Sequence, residues 1–210
     1  ECGAEGWQWL EYEEDWNANY HWAKFSNLGY VHLPVVHGQP WNGGIRPPEH
    51  TVEYMDDWSL ATGIRVKTKP QRGLWKRLRK PGREVRSRLK FYLSGFTIKV
   101  DVEIGGAGSG IRFIALDMSP PIDDRTTTER FLFGRNFITG KWADKNHIKR
   151  NMKNIHEDRA IAEAQLPKVF PNIPDANMLQ TDPEDKVVKE YWAILEKLRA
   201  KGWQIDREAL

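Results

Sequence analysis

Residues 91–118 constrain the fold more than any other stretch: FYLSGFTIKVDVEI, then the glycine-rich GGAGSG, then IRFIALDM. From Phe96 onward the first segment alternates, with Phe96, Ile98, Val100, Val102 and Ile104 on one face. The glycines at 105–110 suit a tight turn, and Ile111–Met118 returns, so the spacing predicts a long β-hairpin. Two further strands are expected, around Leu60–Val66 and over Thr126–Phe137. Residues 1–16 read as a lead-in strand or loop.

Helical signals sit at both ends of this β-rich middle. Residues 17–37 carry helix-compatible spacing to about Val31, before Pro34 disturbs it. Residues 38–50, GQPWNGGIRPPEH, read as a loop. Residues 141–166 form a strong helix candidate with Ile148, Met152, Ile155 and Ala162 on one stripe, stopped by Pro167. A last amphipathic helix is expected over Thr181–Arg199, capped by Thr181 or Asp182 and ended at Gly202. Helix, then sheet, then helices predicts an α+β domain. An antiparallel sheet against a C-terminal helix leaves room for a cavity suited to an apolar ligand.

The bulk numbers set limits. At 210 residues the chain is read as one domain, 1–210. A single cysteine, Cys2, excludes an internal disulfide framework and favours a reducing, cytoplasmic setting. A net charge of +3 gives no case for nucleic acid, and no apolar run approaches the roughly 20 residues a membrane span needs. Ten tryptophans suit a large cavity and a filled core equally. The chain opens on Glu1 rather than Met, so we expect a fragment or a processed form.

Candidate chemistry begins at Asn27–His37, NLGYVHLPVVH. His32 and His37 would stand about 140° apart on a regular helix, and Pro34 between them supplies a distortion that could aim both at one metal. Two imidazoles and one carboxylate with open positions suit ferrous iron and dioxygen. Two partly buried histidines bonded to backbone fit the same residues. HExxH is absent, which disfavours a zinc protease. In HEDRAIAEAQ, residues 156–165, Asp158 lies at the edge of the helix's apolar stripe and Arg159 nearer its centre. By pattern alone Asp158 is either an inward ligand or a solvated charge. His156 is read as exposed or as supporting a site, and not as a ligand.

These residues also carry a resemblance. Asn19-Tyr20 followed by His32 and His37, then Phe131-Leu-Phe-Gly-Arg135-Asn136-Phe137, then Glu157-Asp158-Arg159 with Glu163 and Gln165, resemble in order and spacing the catalytic domains of Rieske-type non-haem iron oxygenases. The likeness is greatest to the vanillate demethylase and dicamba monooxygenase branch and covers roughly residues 15–170. It implies a helix-grip fold, an antiparallel sheet with C-terminal helices enclosing a cavity. It implies Fe(II) held by His32, His37 and Asp158, and O2 activated for hydroxylation or oxidative demethylation of an apolar, aromatic substrate. It implies a Rieske [2Fe-2S] cluster in an N-terminal domain absent from this chain, an electron-donating reductase or ferredoxin, and a homotrimer. The family's bridging Asp, three residues before the first histidine, is replaced here by Gly29, with Asn27 and Tyr30 nearby. Trp41, Asn42, Phe96, Ile98, Phe113, Phe131 and Asn136 are pocket candidates, with His50 and Phe133 considered beside them; apolar strand residues are more often plain core, and Trp41, Asn42 and His50 serve equally as ordinary loop residues. The alternative function is a non-catalytic binder of hydrophobic ligands with the same fold.

Residues 65–90 hold twelve basic side chains, from Arg65 to Lys90, with Leu74, Trp75 and Leu78 among them. They read as a long solvated loop, or else as a docking surface for an acidic electron donor or an anionic membrane.

Overall fold

Alternation of apolar and polar residues puts seven segments into one antiparallel sheet in the computed structural model, which describes residues 3–28, 36–37, 51–56, 59–67, 84–92, 97–104, 108–170 and 186–202. The strands are β1 (Gln8–Trp16), β2 (Thr51–Asp56), β3 (Ser59–Lys67), β4 (Glu84–Tyr92), β5 (Thr97–Ile104), β6 (Arg112–Met118) and β7 (Thr127–Arg135). Their order is β1-β7-β6-β5-β4-β3-β2, so β2 to β7 form a meander and β1 closes beside β7. The described helices are α1 (Tyr20–Leu28), a 3-10 turn (Lys141–Ala143) leading into α2 (Asp144–Ala164), and α3 (Lys186–Ala200).

The hairpin expected over residues 91–118 is present, with Val100 opposite Ala115 and Ile98 opposite Asp117. Its end is tied by Asn136, whose Oδ1 accepts from the Arg112 amide at 2.7 Å and whose Nδ2 donates to the Gly110 carbonyl at 2.6 Å. The lead-in segment is strand β1, paired with β7 from Gln8–Arg135 to Trp16–Thr127.

The period of two decides which side is core. Trp16 of β1, Ala115 of β6 and Phe131 and Phe133 of β7 share one face and are buried, with Leu10, Tyr12, Val100 and Phe113 against them. Met152 and Ala162 of α2 join the same cluster, and Ile148 and Ile155 pack on it, so the expected stripe is the one that faces the sheet. Ala18, Ala23 and Ala162 allow α1 and α2 to approach closely on this face. α3 packs its Tyr191 and Trp192 on His21 and Phe25 of α1 and on Phe170. This is the α+β helix-grip arrangement.

The basic stretch needs correcting. Arg65 and Lys67 belong to β3, and Arg86, Arg88 and Lys90 to β4, so residues 65–90 are not one loop. Segment EVRSRLKFY alternates Val85, Ser87, Leu89, Phe91 with Arg86, Arg88, Lys90; the charges mask a strand pattern. In register, Arg86 lies across from Glu103, Arg88 across from Asp101 and Lys90 across from Lys99. Strand β2 had no expected counterpart; α1 is described to Leu28, and the expected helix end near Val31 lies outside the described residues. Gly202 adopts a φ of 84° just past α3, as its position as a helix stop predicts. The loop at 38–50, the proposed cap at Thr181 or Asp182, and the apolar residues Leu74, Trp75 and Leu78 lie outside the described residues.

Candidate metal centre

A side chain on α2 is only as well placed as the helix, and α2 is tied to the sheet along its length. At its first turn Asp144 accepts from Arg135 Nη2 at 2.5 Å and from Gln8 Nε2 at 3.1 Å, joining the helix to β7 and β1. Arg135 is fully buried and its Nε also donates to the Ile138 carbonyl at 3.1 Å. An acidic residue in the first turn also suits the helix dipole. Further along, Glu14 of β1 meets His156 Nε2 at 3.2 Å and Arg159 Nη1 at 3.4 Å, while Glu163 takes the Asn17 amide at 3.0 Å and Arg159 Nε at 2.8 Å. Arg159 is therefore spent on carboxylates at the helix edge, although the stripe put it near the centre.

Asp158 points inward instead, 7% exposed, and it meets the imidazole of His37, itself 6% exposed. His37 Nε2 stands 3.2 Å from Asp158 Oδ1, and His37 Nδ1 stands 3.0 Å from Glu157 Oε2. Two consecutive carboxylates thus flank one ring, 121 residues upstream of Asp158 by numbering (158 − 37 = 121). Burial alone would lower the imidazole's pKa, but the hydrogen bond and charge of Asp158, joined by those of Glu157, hold it above its ordinary value. Glu157 is drawn below the usual carboxylate range, chiefly by the bond from His37 and secondarily by Lys153.

Two ligands about 2.1 Å from one ion and roughly at right angles lie about 3 Å apart, which is the separation of Nε2 and Oδ1. A metal-binding imidazole ordinarily gives its other N–H to a carboxylate, which fixes the tautomer; Glu157 stands in that place. These two residues and their support fit the expected iron site. His32 lies outside the described residues, and among the described residues no group of three His, Cys, Asp or Glu side chains forms a metal cluster.

Of the pocket candidates, Ile98 and Phe131 are buried, and Phe113 is half-buried on the face α2 covers, its ring 6.2 Å from that of Phe133. Both polar ends of the Asn136 amide are taken by the hairpin. Trp41, Asn42, Phe96 and His50 lie outside the described residues, as do Gly29 and Tyr30; of Asn27 only its place in α1 is described. His156 is exposed and bonded to Glu14, in keeping with its reading as a non-ligand. Glu157 was the residue that sequence reasoning missed. It was visible as a second carboxylate beside Asp158, but neighbours on a helix differ by about 100°, and nothing in the pattern says that one ring lies between them.

The chain is thus an α+β helix-grip domain with a buried His–carboxylate pair. The chain belongs to the family of vanillate O-demethylase oxygenase C-terminal domains, whose model matches residues 24–201. No match is found among curated proteins. Among solved structures, the chain is similar to the NdmA QL mutant of Pseudomonas putida CBB5 with caffeine (TM-score 0.71, 16% identity, 100% of this chain and 56% of that one). It is also similar to dicamba monooxygenase bound to 3,6-dichlorosalicylic acid (TM-score 0.66, 12% identity, 96% of this chain and 62% of that one). NdmB of Pseudomonas putida CBB5 aligns at a TM-score of 0.62 with 12% identity, over 91% of this chain and 50% of that one. At these identities the likeness is one of fold, and the chain spans little more than half the length of the first of them. No helix among the described residues is long and apolar enough to cross a membrane.

Proposed function

We propose that the chain is the oxygen-activating domain of a Rieske-type oxygenase, in which His32, His37 and Asp158 hold one ferrous ion. The observation that carries this reading is the 3.2 Å approach of His37 Nε2 to Asp158 Oδ1 in a buried setting. When bound, the ferrous ion would supply a site for dioxygen beside the substrate, for hydroxylation or oxidative demethylation. The protein's own tasks are narrower. Glu157 orients His37 by accepting its Nδ1 proton, which leaves Nε2 free for the metal. The anchors at Asp144, Glu14 and Glu163 keep Asp158 from following solvent. Phe113, half-buried on the face α2 covers, would offer apolar surface to a small aromatic substrate, with Phe96, Trp41 and Asn42 as further candidates, while Ile98 and Phe131 fill the core and Asn136 ties the hairpin.

Electrons would come from a Rieske [2Fe-2S] cluster in an N-terminal domain outside this sequence, fed by a reductase or ferredoxin, in a cytoplasmic homotrimer. Gly29 has no side chain with which to bridge cluster and iron, so that link would fall to another residue or to the backbone. The test is spectroscopic. Anaerobic protein loaded with Fe(II) and exposed to nitric oxide should give the high-spin signal of a ferrous nitrosyl with an open position. Addition of a small aromatic ether should perturb that signal. A ferrous signal that neither nitric oxide nor any such compound alters would overturn the assignment.

A further inference from the structure

α2 carries a second polar feature on the side that bears Asp158. His147 and Asn151 stand about one turn apart, and at 100° per residue these two and Asp158 fall within about 40° of one another around the helix. Along the axis Asn151 stands about 10 Å from Asp158, and His147 about 16 Å. Their neighbours Ile148 and Met152 pack on the core. His147 and Asn151 bring nitrogen to the same region. His147 Nε2 and Asn151 Nδ2 are both buried, and neither has a hydrogen-bond partner in the protein. Buried polar atoms are ordinarily matched, so two unmatched ones a turn apart point to a use. Apolar rings surround the imidazole: it lies edge-on to Phe113 at 5.5 Å and to Phe133 at 6.5 Å between centroids. Of the charges that act on it, Arg135 and Arg150 are positive and Asp144 negative, which favours an electron-rich atom beside the ring. Burial, aided by Arg135, lowers the pKa of His147 to about 4, so at neutral pH its Nε2–H tautomer donates a hydrogen bond without carrying charge.

We propose that His147 Nε2 and Asn151 Nδ2 bind a hydrogen-bond-accepting oxygen of the substrate, whose aromatic ring lies against Phe113 with its reacting group toward Asp158. The pair makes no covalent bond and moves no proton; it selects and orients. A compound with oxygen at both ends of one aromatic ring satisfies the pair and the reacting end together. A compound of the same shape without the far oxygen leaves two buried N–H groups unmatched, which is a strong ground of discrimination. The selection stands on the geometry of α2 and the sheet; only the direction of the ring toward Asp158 rests on the oxygenase reading.

Three probes of similar shape test it: para-methoxyacetophenone, para-methoxybenzoate, and para-isopropylanisole, which has no far oxygen. In calorimetric titration of the wild type, the better of the two oxygen-bearing probes should bind at least about tenfold more tightly than para-isopropylanisole. A tighter ketone assigns a neutral oxygen to the pair, and a tighter benzoate an anionic one. His147→Phe and Asn151→Leu should each cut that preference by about fivefold or more, with affinity for para-isopropylanisole nearly unchanged. His147→Gln, which keeps a donor, should retain most of it. In the wild type itself, nitrogen magnetic resonance of labelled histidine should show His147 shifted by the preferred probe and not by para-isopropylanisole. Equal affinity for all three probes in the wild type, or no binding of any, would mean that the two atoms hold water only and would overturn the proposal. A preference that neither variant changes would overturn it too. The expected preference in protein that fails to bind Fe(II) would count against the oxygenase reading and leave the pair standing. Fe(II) bound, but with its nitrosyl signal unmoved by the preferred probe, would overturn the direction of the ring.

Discussion

Glu157 and Asp158 differ by one position along α2, and they do different work. Asp158 meets the nitrogen that would face a metal, and Glu157 meets the other. Glu157→Gln should therefore leave the fold intact and weaken Fe(II) affinity by about 10- to 100-fold, the usual cost of losing a carboxylate behind a histidine ligand; anaerobic titration with Fe(II) would check it. His147 gives a second prediction. It lies edge-on to Phe113 and Phe133, and burial, aided by the charge of Arg135, lowers its pKa to about 4. A histidine kept neutral in the fold adds stability above its unfolded pKa, and that contribution is lost as pH falls toward about 4. The wild type should lose on the order of 2 kcal/mol between about pH 7 and about pH 4 that His147→Phe does not lose, read from urea unfolding at each pH. At this scale the sequence was legible where chemistry repeats a pattern. His37 and Asp158 stood out through motif order, but the partnership of Lys24 with Asp117, 93 positions away, leaves no local trace.

α2 is the element on which the centre depends, and its first turn is held by one buried ion pair. Asp144→Ala would leave Arg135 buried with its main partner gone, and should cost about 2 kcal/mol in urea unfolding while loosening Fe(II) binding. Hydrogen exchange should show the first turns of α2 opening more readily in that variant. Helix α2 was readable from its apolar stripe, and the β5–β6 hairpin from alternation and a glycine turn, because in both the period and the burial agree. Strand β4 was hidden because Arg86, Arg88 and Lys90 recur at every second position, so composition suggested a solvated loop. Asp101 and Glu103 of β5 lie across from Arg88 and Arg86, which only the register reveals. Strand β2 is six residues long and too short for alternation to separate it from its loop.

Across the whole molecule, the early and late elements of the chain meet. β1 closes the sheet against β7, α1 and α2 cross over alanines on the inner face, and α3 covers α1 through Tyr191 and Trp192. One face of a single sheet therefore carries both the core and the His37–Asp158 pair, and the metal reading and the fold stand on the same packing. The family's order of motifs was legible over roughly residues 15–170 because it follows this closure: histidines after the first helix, Arg-Asn-Phe at the end of the last strand, Asp on the helix that packs on the sheet. The most direct measurement is iron content after anaerobic loading and desalting, for wild type, His37→Ala and Asp158→Ala, with circular dichroism confirming the fold of each. The account predicts close to one ferrous ion per wild-type chain and almost none in either variant. Equal iron in all three would contradict it.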